Sequence, residues 1–253
     1  KNKELSMKRV LLVFILSVSV ISLLSAQDFT KILKELDNLN NFEKSDFTAV
    51  YTIITQKPGE KDSVLQARVF RRDREDLFLI LILQPEANKG QGYLKDKDNV
   101  WFYDPSSRQF TFSSLKENIS NSEAKNSDLT RATYSDSYTI EKTEEGVLGK
   151  IPVWIISLKA KTTDAVYDRL KIYVRKDRTM LLKEEAYSVS GRLMRTTLIP
   201  KYVELNGKLL PSQIIIVDEL NPGEKSQITL TEQSVSPIPD SVFKKEFLER
   251  VNK

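Results

Sequence analysis

The sequence predicts a mainly β protein of antiparallel strands with flanking helices, and three observations predict it. From Ser45 to Glu232, short runs rich in β-branched and aromatic residues alternate with turn residues. Helical spacing of apolar residues is clearest at the two ends of that series, after Asp28 and after Asp240. The joints between runs are short and carry hairpin chemistry, most clearly at Asn206-Gly207, where both residues tolerate the positive φ of a type I′ turn.

The chain begins with an export signal. Lys8 and Arg9 supply the positive start, Val10 to Leu24 an apolar stretch of 15 residues, and Ser25-Ala26 the small residues ahead of Gln27. That stretch falls short of the about 20 residues that span a bilayer, so cleavage after Ala26 is expected, with an uncleaved anchor as the alternative. Leu24-Ser25-Ala26 is similar to the start of a bacterial lipoprotein box, but Gln27 stands where the lipidated cysteine would. The expected organisation is a signal peptide over 1–26 and one domain over 27–253, soluble in the periplasm.

Asp28 can cap a helix running to about Asn40, with Phe29, Ile32, Leu33, Leu36 and Leu39 on one face. Strands follow at 47–56, 63–72, 77–83, 92–95, 99–103 and 109–113, with Lys57-Pro58-Gly59 and Pro105-Ser106-Ser107 as turns. Leu77 to Leu83 and Ile214 to Val217 show no polar alternation, so both faces of these strands should be covered. Ser113 to Ser137 breaks the pattern. It is mostly Ser, Asn, Lys, Glu and Asp, and its length suits a lid or binding loop as well as a plain excursion. Asn126-Ser127-Asp128 ahead of Leu129 is a candidate helix start within it.

Further strands are expected at 138–141, 153–159, 168–175, 181–187, 193–198, 202–205, 208–217 and 227–232, with turns at Ser190-Gly191 and Asn221-Pro222-Gly223. Pro237 to Asp240 closes the series, and Asp240 is placed to cap a last helix carrying Phe243, Phe247, Leu248 and Val251.

Composition removes several function classes. Of 39 basic and 35 acidic residues, four and one lie in residues 1–26, which leaves 35 against 34. A near-neutral chain with interspersed signs gives no electrostatic case for nucleic acid. Cysteine is absent, so no disulfide holds the fold. Histidine is absent too, and with it the commonest general base and metal ligand. No G-x-S-x-G elbow, Walker loop or G-x-G-x-x-G fingerprint occurs. Lys95 to Asn99 is superficially like a calcium loop, yet it lacks the central glycine and has Ser107 where the twelfth-position glutamate belongs. It reads as a polar hairpin turn. No catalytic residue, metal ligand or cofactor is expected.

Taken in order, the helix, the antiparallel series, the polar interruption and the closing helix resemble the outer-membrane lipoprotein-sorting protein family, in its LolA-like branch. The stretches that carry the resemblance are Lys89-Gly90-Gln91-Gly92-Tyr93-Leu94, Asn99-Val100-Trp101-Phe102-Tyr103-Asp104-Pro105, Ile238-Pro239-Asp240-Ser241-Val242-Phe243 and Glu246-Phe247-Leu248-Glu249-Arg250. The segment from Ser113 to Tyr138 departs from the family's glycine and phenylalanine pattern. The resemblance implies an incomplete, strongly curved antiparallel β-barrel of the LolA/LolB kind with a helical lid, carrying acyl chains across the periplasm. It also implies a strand arginine that latches the lid; no arginine of this sequence is matched to it.

Aromatic side chains on the strands can line a lipid-sized cavity or fill a core. One strand face is expected to form the cavity: Phe78, Ile80 and Ile82 with Trp101, Tyr103, Phe110, Phe112, Trp154 and Ile156. The expected function is a non-catalytic periplasmic carrier for acyl chains of lipoproteins or phospholipids, taking cargo from an inner-membrane transporter to an outer-membrane acceptor. The alternative is a periplasmic adaptor that binds an envelope transporter complex without lipid.

Overall fold

In the computed structural model, residues 27–96 and 99–251 are described. The expected export signal at 1–26 and the tip Lys97-Asp98 of the polar turn lie outside the described residues. Helix α1 (Phe29–Asn40) comes first, and Asp28 caps it by accepting from the Lys31 amide at 3.1 Å. Strands β1 (Phe47–Gln56), β2 (Ser63–Arg72), β3 (Leu77–Gln84), β4 (Gly92–Asp96), β5 (Asn99–Asp104) and β6 (Gln109–Ser113) follow. A short helix α2 (Tyr134–Ser137) precedes β7 (Tyr138–Leu148), β8 (Ile151–Ala160), β9 (Arg169–Arg175) and β10 (Leu181–Tyr187). Then come β11 (Leu193–Leu205), β12 (Lys208–Asp218), β13 (Lys225–Ser234) and helix α3 (Lys245–Arg250).

All 13 strands form one antiparallel sheet in the order β6-β5-β4-β3-β2-β1-β13-β12-β11-β10-β9-β8-β7. The sheet is strongly curved and does not close, because its two edges, β6 and β7, do not pair. Those edges are consecutive in sequence, so the polar segment is the connection across the opening.

Directly paired residues share a face, and the registers therefore fix an inner face. Phe47, Ala49, Tyr51 and Ile53 of β1 stand beside Arg71, Val69, Ala67 and Leu65 of β2, and Phe78, Ile80 and Ile82 of β3 continue the row. With Ile216, Ile228 and Leu230 they make one buried cluster. Farther along, Ile156, Leu158, Leu170, Ile172, Leu181 and Ile199 make a second, closed by Ile32, Leu33 and Leu36 of α1. The outer face is covered locally: Leu79, Leu94 and Tyr103 bury under Leu248 of α3. This is why Leu77 to Leu83 is apolar throughout.

Several expectations need correction. Residues 193–205 form one strand rather than two, with register shifts around Pro200, where no ladder amide is needed. β7 runs to Leu148, well past residue 141. Ile215 and Val217 on the outer side of β12 stay half-exposed, so that strand is not covered on both faces. Asp240 does not cap α3; it opens a single 3-10 turn (Asp240–Phe243), and its Oδ1 accepts from Arg72 Nη1 at 2.6 Å. Val251 is 44% exposed rather than packed. Asn206 and Gly207 do adopt φ of 49° and 74°, as the hairpin requires.

Candidate functional site

The polar segment is less polar in place than in composition. Ile119, Ala124 and Leu129 sit fully buried in the cluster formed by β1, β2 and β3. Ile119 N donates to Ala124 O at 2.7 Å, closing a small loop, and Asn126–Leu129 makes a 3-10 turn whose Asp128 Oδ2 accepts from Lys125 N at 2.7 Å. The expected helix start at Asn126 is thus a single turn. Its anchors are three apolar side chains at irregular spacing, which no periodicity reveals.

Helix α1 holds the far end of the segment. The Asp37 carboxylate accepts from the Tyr134 and Ser135 amides at 2.7 and 2.8 Å, at the start of α2. Asn41 exchanges two bonds with the Ala132 backbone, at 3.0 and 2.9 Å. The helix is itself fixed to β2: the buried Arg71 chelates Asp73 and donates to Asn40 O at 2.7 Å, and Asp73 Oδ2 accepts from Phe42 N at 2.7 Å.

Between α1, this segment and the inner face lies a cavity of about 410 Å³, within the about 300–1,000 Å³ typical of small-molecule sites. Leu36, Leu39, Phe78, Leu181, Ile199 and Ile214 supply apolar wall, and Tyr134, Tyr138, Tyr167 and Tyr202 add aromatic rings. Charged side chains interrupt it, Arg71, Asp73, Asp76, Lys95, Asp128 and Arg131 among them, and two more stand on β10 and β11. Arg195 of β11, 6% exposed, donates through Nη2 to Asp128 Oδ1 at 2.8 Å and through Nε to Thr197 at 3.2 Å. Burial pulls the Arg195 pKa down, but the adjacent Asp128 carboxylate and Tyr167 more than reverse that, so the guanidinium is held charged. Glu184 of β10 accepts from the Tyr134 hydroxyl at 2.7 Å. Burial pushes its pKa up, and the Tyr134 bond and the Arg195 charge only partly offset it.

The nine residues expected to form the cavity do not share one face. Phe78 lies on the cavity wall, while Ile80 and Ile82 pack in the inner cluster beside it. Ile156 and Trp154 also face inward, in the other half, where the Trp154 ring meets Phe29 of α1 edge-on at 5.3 Å. Trp101, Tyr103, Phe110 and Phe112 are on the outer face. The register sets this, because inward Phe78 pairs with Lys95 and Lys95 with Val100, leaving Leu94, Trp101 and Phe112 in one outward row. There Trp101 stacks on Phe112 at 4.2 Å beneath Lys245 of α3, and Tyr103 meets Phe110 at 4.7 Å. Phe112 is 71% exposed.

Sequence reasoning missed Arg195, Glu184, Leu181, Ile199 and Tyr202 as wall residues, and marked Ile214 only as part of an apolar run. Nothing local marks that role, since each lies on an ordinary strand whose phase only pairing decides. Among the described residues, one group of three acids brings its oxygens within 4.8 Å of one another, Glu123, Asp218 and Glu224. Lys57 Nζ stands 3.1 Å from Glu224 Oε2 at its edge.

Known proteins agree with this architecture. A family model described as an uncharacterized protein matches residues 74–250, and the chain belongs to that family. No curated protein matches it. A LolA superfamily protein from Nitrosomonas europaea is similar in structure, at 23% identity and a TM-score of 0.77, over 88% of this chain and 100% of that one. An outer membrane lipoprotein-sorting protein domain from Vibrio parahaemolyticus is similar at 18% identity and a TM-score of 0.76, over 87% and 98% of the two chains. A DUF1329 family protein from Desulfovibrio piger has the same identity and TM-score, over 87% and 97%. The fold is the LolA-like one that the sequence motifs resemble.

Proposed function

We propose that this member of the family is a non-catalytic periplasmic carrier that shelters acyl chains of lipoproteins or other lipids, with residues 113–137 as its lid. It is exported by the signal at residues 1–26, takes cargo from an inner-membrane donor and delivers it to an outer-membrane acceptor. The observation that carries this reading is a cavity walled by aliphatic and tyrosine side chains and roofed by residues 113–137. Each CH₂ withdrawn from water there is worth about 0.8 kcal/mol, so affinity needs no directional chemistry. The LolA-like fold and the lipoprotein-sorting relative from Vibrio parahaemolyticus support the same direction.

The test is mass spectrometry of an organic extract of the native protein, followed by hydrogen exchange of residues 113–137 with and without lipid. Co-purified lipid and slower exchange when loaded are expected. Absence of lipid with equal protection in both states would leave the adaptor role.

A further inference from the structure

A second cleft, of about 800 Å³, shares Arg195 and Tyr167 with the first cavity. Thr162, Ala165, Val166, Tyr167 and Arg195 line both. The two spaces are therefore neighbours behind one wall, and they differ in chemistry.

The walls of the second cleft carry Lys116, Lys125, Lys159, Lys161 and Arg195 against Glu123, Asp168 and Asp218. How these charges are partnered matters more than their number. Lys116 Nζ donates to Thr163 O at 2.6 Å, Lys161 Nζ to Ser135 O at 2.8 Å, and Lys125 Nζ to Lys116 O and Asn118 Oδ1 at 2.8 and 2.9 Å. All these acceptors are neutral, and none of the three ammonium groups forms an ion pair among the described residues. Two of the acids are partnered, while at Glu123 burial and then the charge of Asp218 push the carboxyl pKa up. Asp168 is bound by Lys159 and Arg169, and Asp218 accepts from the Leu220 and Asn221 amides and the Asn221 side chain. Burial, and then the charge of Arg195, work against the ammonium of Lys125. An anion entering the cleft would relieve that.

We propose that this cleft binds the phosphate-bearing head of an amphiphile whose acyl part occupies the apolar cavity, with Lys116, Lys125 and Lys161 meeting the phosphate. The inference rests on the carrier reading and adds a head-group class to it. Lysine ammonium groups bind phosphate as mobile point charges, and three such residues line this cleft from the lid segment and the β8–β9 loop. An apolar cavity alone would accept neutral and anionic lipids alike; the basic cleft beside it discriminates.

The experiment uses the full chain after delipidation and measures affinity for dioctanoyl phosphatidylglycerol, dioctanoylglycerol and inorganic phosphate. Phosphatidylglycerol is expected to bind about tenfold tighter than dioctanoylglycerol at low salt, as three partly exposed ion pairs would give. That preference should shrink from about 0.01 to about 1 M salt, as the screening length falls from about 30 to about 3 Å. In the triple variant Lys116→Gln, Lys125→Gln, Lys161→Gln, the ratio of the two lipid affinities should fall close to one. Should that variant not fold, Lys161→Gln alone reads the same ratio, with a smaller drop. Equal, salt-independent binding of both lipids by the unaltered protein overturns the head-group site and leaves the carrier standing. Binding of neither lipid overturns both. Inorganic phosphate bound as tightly as phosphatidylglycerol identifies a free-phosphate site and overturns the amphiphile.

Discussion

Asp128 and Arg195 lie 67 residues apart in the chain and are joined by a 2.8 Å hydrogen bond between Oδ1 and Nη2. One comes from the segment over the cavity and the other from the inner face of β11. The contact is an ion pair at the cavity wall, and with the buried Ile119, Ala124 and Leu129 it pins the middle of the segment.

Breaking that pair from the segment side is the costlier way. Asp128→Ala leaves a guanidinium buried beside Tyr167 and Thr197 and removes the Lys125 amide's acceptor, so a loss of about 3–5 kcal/mol is expected. Arg195→Met keeps an apolar stem and leaves the more exposed Asp128 free to meet water, so it should cost less. Chemical denaturation orders the two, and faster hydrogen exchange at 126–129 should accompany both.

Glu184 should make stability fall as pH rises. Its folded pKa is raised above the ordinary 4.5, so its favourable contribution is complete below that value and is lost as pH climbs through the folded one. Glu184→Gln mimics the protonated form and still accepts from Tyr134. The variant should melt higher than the parent near neutral pH, with the gap closing below about pH 4. A constant gap across that range would contradict it.

Asp46 should act in the opposite sense. Burial raises its pKa, but bonds from Arg72, the Ile238 amide and Arg74 outweigh that and hold it below 3.8. The stabilisation is present above the ordinary carboxylate range and is lost as pH falls through the depressed value. Asp46→Asn should cost about 3 kcal/mol at neutral pH, with the difference shrinking below about pH 3. Urea melts at several pH values read this directly.

At Gly92, α3 packs directly on the sheet. A Cβ there would stand 2.5 Å from Leu248 Cδ2 and 2.9 Å from the Ile80 carbonyl oxygen. Gly92→Ala should push α3 outward at a cost of about 1–3 kcal/mol, with faster proteolysis after residue 240 as the readout.

Ile214 lines the cavity and takes no part in the Asp128–Arg195 ion pair. Ile214→Trp should fill much of the space, lowering the lipid recovered in organic extracts while far-UV circular dichroism stays that of the parent. Unchanged lipid content would move the acyl site elsewhere.

What the sequence by itself determined was most of what short-range geometry sets, the Asp240 cap and the extent of β7 excepted. The strand series follows from β-branched runs between turns, the hairpin at 206–207 from two residues that accept positive φ, and α1 from an Asp28 cap and its apolar stripe. The unbroken apolar run in β3 correctly announced cover on both faces, and the glycine, aromatic and closing-helix stretches pointed to the LolA-like fold. Only the tertiary structure decided which face each strand turns inward, because a one-residue change of register exchanges every side chain between core and exterior. Trp101 and Phe112 went outside for that reason, while Arg195, Glu184 and Ile214 went inside. The Asp128–Arg195 pair and the three lysines around the second cleft belong to the same class of fact. They bring together residues from the 113–137 segment, the β8–β9 loop and β11, and no local pattern records contacts that exist only once the sheet has curved.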